Sequence, residues 1–353
     1  MATDAGGSRE APASDDAQQA GLRHVTDGEP GIRRLRAGRG FRYVDAAGRP
    51  LRDSSVLERI RSLAIPPAWT DVWICRSPRG HLQATGRDAR GRKQYRYHRD
   101  WSRVRGRGKF DHVVRFGAAL PRLRRRLRGD LRLQGFPPEK VSAIVVALLA
   151  DTLARVGNST YARSNGSFGL TTLRNRHVEF LRGGRVSFTY LGKGGARQQL
   201  LVDDARLARL VRRCRQLPGQ QLFQYRDDAG VLQSLGSEQV NRYLRDAMDG
   251  AFTAKDFRTW GGTLEAFRHL ATTPAPAKPE SAAAASTCKA VVDAVASLLG
   301  NTPAVCRKSY IDPRVFEGWR RGQLAHFAEG ARGERQWEHA LLRFLRRHAR
   351  DDG

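Results

Sequence analysis

The segment Gly300-Asn301-Thr302-Pro303-Ala304-Val305-Cys306-Arg307-Lys308-Ser309-Tyr310-Ile311-Asp312-Pro313 decides how the C-terminal half of the chain is organised. The residues before it, 289–299, have the spacing of an amphipathic helix, and Gly300 is the residue that ends it. Thr302-Pro303 and Asp312-Pro313 each combine a capping side chain with a proline at the first helical position. Tyr310 is therefore predicted to end one short helix just before the next, where a side chain can be held firmly and still face a cleft.

The residues before Tyr310 are cationic. Arg307 and Lys308 lie three and two positions upstream. A phenol with a pKa near ~10 is a poor nucleophile at neutral pH unless cations stabilise the phenolate and the charge that builds on its target. Two interpretations follow from the segment alone. Tyr310 is either a nucleophile or a residue that closes the core between two helices, with Arg307 and Lys308 on a solvated face.

Composition limits the kind of partner. The 353 residues include 63 Lys and Arg against 35 Asp and Glu, a formal charge of +28. The excess favours a polyanion, nucleic acid before an anionic membrane, and the length predicts two domains. Four cysteines (Cys75, Cys214, Cys288 and Cys306) show no CxxC pair or metal-ligand spacing, as in a reducing compartment.

The sequence contains no pattern of a membrane span or a secretory signal. The longest apolar run, residues 143–150, is far shorter than the ~20 residues that cross a bilayer. It also lacks the GxxxxGK[ST] phosphate-binding loop and any acidic cluster resembling a metal site. We therefore expect a cytoplasmic, nucleoid-associated protein that uses no cofactor, no metal and no membrane.

The N-terminal part is predicted to be rich in strands. Residues 1–27 are small and polar, typical of a disordered tail, and 28–103 form a small β-rich domain. In one strand, alternation places Tyr95 and Tyr97 on one face and Gln94 on the other. This strand is either a DNA-facing surface or a solvated edge. Residues 104–137 are basic and are predicted to be a hinge or linker, either a solvated charge run or part of a clamp.

The C-terminal part, 138–353, is predicted to be mainly helical with a three-stranded antiparallel meander, which gives an α+β fold. Arg155 is placed in the last turn of a buried helix, where it could simply complement the helix dipole. Lys193 lies on the second meander turn between glycines, where a lone lysine is normally solvated. Arg258 follows a capping box in an apolar setting that requires an anionic partner. Residues 271–287 are predicted to be a flexible loop.

Three separated segments resemble the poxvirus-type and bacterial type IB DNA topoisomerases. They are 300–313, Lys255-Asp-Phe-Arg-Thr-Trp260 and Leu153-Ala-Arg-Val-Gly-Asn158, and the likeness covers roughly residues 30 to 320 in the family's order. The resemblance implies that Tyr310 attacks a DNA phosphodiester, giving a 3′-phosphotyrosine and a free 5′-hydroxyl. It also implies that Arg155 and Arg258 bind the scissile phosphate and that Lys193 supplies the proton for the leaving oxygen.

The same resemblance assigns DNA contacts and reveals one departure. Gln94, Tyr95 and Tyr97 correspond to a strand that touches duplex DNA, and Arg307 and Lys308 are predicted to contact DNA near the nucleophile. Poxvirus members have a histidine nine residues before the nucleophile, where this chain has Asn301. An amide can donate a hydrogen bond to a phosphate oxygen, but it is neither a cation nor a general acid.

The expected function is ATP-independent and metal-independent relaxation of supercoiled double-stranded DNA by a monomer clamped around the duplex. A tyrosine site-specific recombinase is the first alternative, because it shares the two arginines, the lysine and the tyrosine. Against it, residues 255–258 are Lys-Asp-Phe-Arg where recombinases usually have His-x-x-Arg. A non-enzymatic basic DNA-binding protein is the second alternative.

Overall fold

The structure, a computed structural model, describes residues 17–348 apart from Gln19 and Arg90, with only the backbone at 102–107 and Tyr161. The chain divides into two compact units, and the boundary falls between Phe110 and Asp111. The predicted α+β class, with strands concentrated in the N-terminal part and helices in the larger C-terminal part, is confirmed.

The first unit is built on a five-stranded antiparallel sheet. Its strands are β1 Ile32–Ala37, β2 Gly40–Val44, β3 Thr70–Ile74, β4 Leu82–Arg87 and β5 Lys93–Tyr97. They pair in the order β2-β1-β3-β4-β5, so β5 lies at an edge. Helix α1, Ser54–Ser62, contributes Ile60 to the core formed by residues of β1, β3 and β4.

The predicted tail, 1–27, differs from the structure at its C-terminal end. Leu22 is buried, and Val25 packs in a core cluster with Cys75 and Leu82. The His81 N–H donates to the Arg23 carbonyl at 2.9 Å, so the backbone here is also paired. Two isolated apolar residues in a polar stretch give no periodic signal, which explains why the prediction extended too far. Residues 1–16 of that prediction lie outside the described part of the chain.

The predicted linker, 104–137, also differs, because helix α2 runs without interruption from Arg99 to Asp130. It starts in the first unit and continues into the second. In the second unit, five buried apolar residues recur at alternating spacings of three and four, which is a continuous helical stripe. They are Val113, Phe116, Leu120, Leu123 and Leu127. Basic residues lie between these apolar positions, and the prediction of a linker was based on that charge and not on the apolar spacing.

The second unit contains two sheets. The predicted meander is confirmed as β6 Val178–Leu181, β7 Arg185–Leu191 and β8 Arg197–Val202, paired antiparallel in that order. A two-stranded sheet, β9 Gln224–Arg226 and β10 Leu232–Ser234, was not predicted. The β7–β8 connection is a tight turn, Lys193–Gly195, and a similar turn, Arg182–Gly184, joins β6 to β7 at the opposite end of the strands.

Ten further helices are described in the second unit. They are α3 Pro138–Thr152, α4 Ser159–Asn165, α5 Ala205–Arg215, α6 Ser237–Met248, α7 Ala254–Ala271, α8 Ala282–Leu299, α9 Pro303–Ser309, α10 Pro313–Arg320, α11 Leu324–Ala328 and α12 Glu334–His348. Helix α8 begins at Ala282, with Ser281 as its N-cap. The connection after α7 is therefore shorter than the predicted loop, 271–287.

Helix α8 is the one described helix that is long and apolar enough to cross a membrane by length and composition. One face of it is buried, including Cys288, Val295 and Leu299, while Lys289 and Asp293 form an exposed ion pair of 2.9 Å on another. A charged pair one turn apart opposite an apolar stripe is the pattern of an amphipathic helix that packs on its own unit. Its C-terminus leads directly into the segment that carries Tyr310.

Candidate active site

Tyr310 occupies the turn between two short helices, as predicted. The Thr302 side chain caps α9 and Pro303 takes the first helical position, while Tyr310 is the C-cap, its N–H donating to the Cys306 carbonyl at 2.9 Å. Asp312 then caps α10 by accepting from the Arg314 N–H at 3.0 Å. The Tyr310 side chain is half-buried. Both ends of the turn are thus fixed by caps within two residues of the phenol.

Helix α7 supports this turn from behind. Thr263 is fully buried, and its hydroxyl accepts from the Asp312 N–H at 3.1 Å while donating to the Thr259 carbonyl at 2.7 Å. At Gly262, an added Cβ would lie 2.7 Å from the Tyr310 carbonyl oxygen, closer than such contacts allow. The glycine is needed here because the backbone of the Tyr310 turn approaches the helix directly.

Arg258 projects from the same helix and is almost completely buried. Its Nη1 donates to the Leu153 carbonyl at 2.6 Å and its Nη2 to the Leu299 carbonyl at 2.8 Å. Its guanidinium carbon lies 5.2 Å from the centroid of the Tyr310 ring, and its Nε is buried without a hydrogen-bond partner among the described residues. A buried cation that keeps an unsatisfied donor beside a phenol is suited to receive an anion.

Arg155 lies beyond the end of its helix, so the prediction that it occupies the last helical turn is wrong. Helix α3 ends at Thr152, and Leu153 adopts a left-handed conformation (φ 53°) that turns the chain. Residues 155 and 156 then pair with a second segment, through the Leu170 N–H to the Arg155 carbonyl (3.0 Å) and the Thr171 N–H to the Val156 carbonyl (2.7 Å). This pairing, rather than the helix, positions Arg155.

The side chain of Arg155 reaches the segment that leads to Tyr310. Its Nη2 donates to the Gly300 carbonyl at 3.0 Å and also to the Asn301 side-chain oxygen. Burial, and then the positive charge of Arg258, lower the pKa of Arg155 from its ordinary value, an effect that Tyr310 and Tyr190 partly oppose. Neither guanidinium forms an ion pair with a carboxylate among the described residues. The two cations therefore make a positive site whose anion has to come from outside the described chain.

Asn301 completes this side of the site. Its side-chain oxygen is occupied by Arg155, and its Nδ2 is buried without a hydrogen-bond partner in the described part of the chain. Burial raises the pKa of the Cys306 thiol on the same segment. Because the carbonyl oxygen already binds a cation, the amide presents a donor. That Asn301 gives this hydrogen bond to a phosphate oxygen stays a prediction.

Lys193 is the predicted residue that the structure does not bring to this cluster. It is exposed at the β7–β8 turn and makes no hydrogen bond or ion pair with a described residue. The two residues after it have positive φ, Gly194 at 78° and Gly195 at 79°. The residue before it, Gly192, does line the cavity next to Arg155 and Arg258. The base of the turn is thus at the site while the lysine side chain is outside.

Two side chains in this cavity were missed by the sequence analysis. Tyr190 on β7 is buried near both arginines, and burial raises the pKa of Tyr190 to about 12 although the arginines act against it. Gln198, opposite it on β8, also lines the cavity. Both side chains lie on the site-facing side of β7 and β8, two strands that the sequence predicted. The alternation of side chains along these strands was the signal that could have identified them.

The predicted DNA-contacting residues occupy two separate places. In the first unit, Tyr95 and Tyr97 are 47% and 40% exposed, and their rings stack at 5.9 Å on the edge strand β5. Gln94 is tied to Asp88 by a hydrogen bond of 2.9 Å. In the second unit, Arg307 and Lys308 are exposed on α9 beside the nucleophile turn. No group of three or more His, Cys, Asp or Glu residues in the described ranges is arranged to hold a metal.

Comparisons with known proteins cover both units. A family model of the eukaryotic DNA topoisomerase I catalytic core matches residues 98–320, and one of the bacterial DNA topoisomerase IB N-terminal domain matches residues 40–88. The DNA topoisomerase 1B of Acanthamoeba polyphaga mimivirus is 31% identical over 288 residues, which is 80% of this chain and 85% of that protein. The DNA topoisomerase 1B of Vaccinia virus (strain Copenhagen) is 20% identical over 275 residues, which is 75% of this chain and 82% of the viral protein.

Proposed function

The chain belongs to the type IB DNA topoisomerase family, and we propose that it relaxes supercoiled duplex DNA by cutting and resealing one strand through Tyr310, without ATP. The observation that carries the proposal is the meeting of Tyr310, Arg155, Arg258 and Asn301 at one turn. Three segments far apart in sequence, 153–157, 254–271 and 299–310, converge there. No carboxylate among the described residues neutralises the two arginines.

The reaction follows from what each group can do. The Tyr310 oxygen attacks phosphorus and gives its proton to solvent water, the bond from phosphorus to the 5′-oxygen breaks, and the 3′ end remains attached to the tyrosine. Negative charge builds on the non-bridging oxygens, and buried guanidinium and amide donors already in place stabilise it without reorganising. Attack by the freed 5′-hydroxyl reverses each step. The phosphotyrosine keeps the energy of the broken bond, so resealing needs no fuel.

The leaving 5′-oxygen needs a proton, and we assign its delivery to Lys193. An alkoxide is a poor leaving group, so a positioned acid contributes a rate gain of about 10²–10⁴-fold. Lys193 is exposed on a turn whose base, Gly192, already lies against the arginine site. A rearrangement of the turn alone could bring its ammonium to the DNA. Arg155 remains a candidate to share this role.

The position of the last described helix favours a topoisomerase over a recombinase that exchanges its nucleophile between protomers. Helix α12 packs back on its own unit, where Phe344 contacts Phe267 with ring centroids 5.7 Å apart. Glu338 receives two hydrogen bonds from Arg124, at 2.6 and 2.7 Å. A helix held in this way supports a monomer that carries its complete site, and we propose that this monomer encloses the duplex, with Tyr95 and Tyr97 of the first unit contacting it.

The test uses supercoiled plasmid with EDTA and without ATP. We expect relaxation in steps of one linking number and a covalent protein–DNA adduct at the 3′ side of the cut. Tyr310→Phe should bind duplex DNA and form no adduct, whereas Tyr225→Phe, on strand β9, should behave like the unmodified protein. An adduct in Tyr310→Phe would move the nucleophile elsewhere. A requirement for two specific sites, with recombined products, would indicate a recombinase instead.

A further inference from the structure

Gln198 lies between the lysine-bearing turn and the nucleophile segment. It is half-buried on β8, paired in register with Tyr190 on β7. Among the described residues, its side chain makes one hydrogen bond, from Nε2 to the adjacent Arg197 carbonyl at 3.4 Å, a long contact. Its position therefore depends mainly on packing, and the atoms it packs against are the backbones of two glycines.

The first of these glycines is Gly192. A Cβ at this position would lie 2.7 Å from Gln198 Cγ and 3.4 Å from its Cδ. The backbone of Gly192 is extended (φ −90°), a conformation open to any residue, so the glycine is required for space. The Gly192 N–H donates to the Ala196 carbonyl at 2.8 Å, which closes the turn. The aliphatic part of Gln198 thus rests against the backbone immediately before Lys193.

The second glycine is Gly300, the left-handed C-cap of α8 (φ 56°). A Cβ here would lie 2.9 Å from Gln198 Oε1 and 3.2 Å from its Nε2. The carbonyl of Gly300 accepts the hydrogen bond from Arg155, and the next residue is Asn301. One side chain therefore touches the backbone that leads into Lys193 and the backbone that presents the arginine and asparagine donors.

We propose that Gln198 is a positioning residue that sets the distance between the Lys193 turn and the phosphate site. The inference rests on the proposed function, because it assumes that Lys193 acts as the acid. Beyond Gly192 the turn has few restraints, since Gly194 and Gly195 both have positive φ and the Lys193 side chain makes no hydrogen bond or ion pair with a described residue. When the backbone at Gly192 is fixed, the lysine ammonium samples fewer positions around the leaving oxygen. Such orientation accelerates a proton transfer.

The experiment measures single-turnover cleavage of one duplex with either an ordinary 5′-oxygen or a 5′-phosphorothiolate at the scissile bond. The sulfur leaving group needs no proton. Lys193→Ala should cleave the oxygen substrate slowly and recover on the sulfur substrate. Gln198→Ala should show the same pattern with a smaller loss, up to about 100-fold, because a misplacement of about 1 Å can cost that much.

Three variants separate positioning from general damage. Gln198→Met keeps the length of the side chain without its amide and should cleave the oxygen substrate far faster than Gln198→Ala. Gln199→Ala, at an exposed neighbour on the same strand, should leave both rates unchanged. The double variant Lys193→Ala/Gln198→Ala should be no slower on oxygen than Lys193→Ala alone, because a residue that acts only through the lysine has nothing further to lose.

The outcomes distinguish the inference from the function beneath it. If the unmodified protein forms no covalent adduct, the proposed function fails. If Lys193→Ala is not rescued by sulfur, the acid assignment fails and the inference fails with it. The inference alone is overturned if Lys193→Ala is rescued by sulfur but the cleavage rate of Gln198→Ala falls equally on both substrates. It is also overturned if that rate does not fall on the oxygen substrate.

Discussion

The nucleophile turn and the lysine turn, both in the second unit, differ in how firmly they are held. The nucleophile turn has a cap on each side, the buried hydroxyl of Thr263 behind it and the buried guanidinium of Arg258 beside it. The lysine turn has glycines of positive φ and an exposed side chain without recorded partners. The groups proposed to stabilise charge are therefore held in place by the fold, whereas the proposed proton donor is not.

The difference has a physical reason. Buried donors stabilise developing charge best when they need no reorganisation, and their desolvation is already met by the fold, here through the carbonyls of Leu153 and Leu299. A lysine buried permanently beside two arginines would be repelled and would lose its solvation. Under the proposed function, a Lys193 that stays in solvent until phosphate is present avoids both costs. The predictions below test whether the two turns really contribute different steps.

The largest expected effect on the cleavage rate comes from changing Arg258, beside the Tyr310 turn. In Arg258→Lys, one ammonium cannot reproduce the planar guanidinium that bonds two separate carbonyls and faces Tyr310. We expect single-turnover cleavage to fall by about 10²–10³-fold, the usual cost of removing one preorganised donor. Duplex binding should be retained. Cleavage at the unmodified rate would mean that Arg258 serves the fold alone. Arg209→Lys, an exposed change on α5, is the matched control.

A smaller loss is expected when the nucleophile turn is displaced without touching a charge. In Gly262→Ala the new methyl would lie 2.7 Å from the Tyr310 carbonyl, and relieving that contact should cost about 1–3 kcal/mol of unfolding free energy. Cleavage should slow by about tenfold or more on the oxygen and sulfur substrates alike, because attack itself is misaligned. Gly129→Ala, a helical position with nothing within 4 Å, should leave both rates unchanged. Loss on the oxygen substrate alone would contradict this explanation.

A change in the Lys193 turn should slow cleavage of the oxygen substrate only. Gly194→Ala places a Cβ at φ 78°, which costs about 1 kcal/mol in that turn although space is open around it. We expect a few-fold slower cleavage of the oxygen substrate and no change with the 5′-phosphorothiolate. Gly230→Ala, at φ 76° and equally open, carries the same strain in another turn and should affect neither rate. Equal slowing on both substrates in Gly194→Ala would remove the distinction between the two turns.

How much of the site the sequence revealed depends on the range of the interactions. The turn around Tyr310 was predictable because Thr302, Pro303 and Asp312 act on residues two or three positions away. The opening of α7 was predictable for the same reason, since Thr253 and Asp256 form a capping box. The position of Arg155 was not. It depends on a left-handed Leu153 whose carbonyl binds Arg258, 105 residues later in the chain.

The same argument applies to the fold. The meander was predicted from alternation and glycine turns, whereas β1 was not, because one of its inward positions is Arg34. That side chain is buried and donates to the carbonyls of Ile65, Pro66 and Trp69. A buried arginine breaks the apolar alternation that marks a strand. The alternation of the meander could have placed Gln198 on the site-facing side, but its proximity to glycine backbones leaves no side-chain pattern in the sequence.

The smallest effect on catalysis is expected at Tyr190, which stands between the two turns on β7. Burial raises the pKa of Tyr190 to about 12, so its phenol stays neutral at pH 7.5 and Tyr190→Phe should cleave DNA like the unmodified protein.

The effect of Tyr190→Phe appears in the stability of the fold at alkaline pH. The unfolded tyrosine ionises near pH ~10, so above that pH the unfolded state binds fewer protons than the folded state, and stability falls as pH rises. By pH 11 the unmodified protein should have lost about 1 kcal/mol more unfolding free energy than Tyr190→Phe, relative to pH 8. Denaturant unfolding of both proteins at the two pH values measures the difference. Identical losses would mean that Tyr190 is not held neutral beside the arginines, and a slowed Tyr190→Phe at pH 7.5 would give its hydroxyl a part in the chemistry.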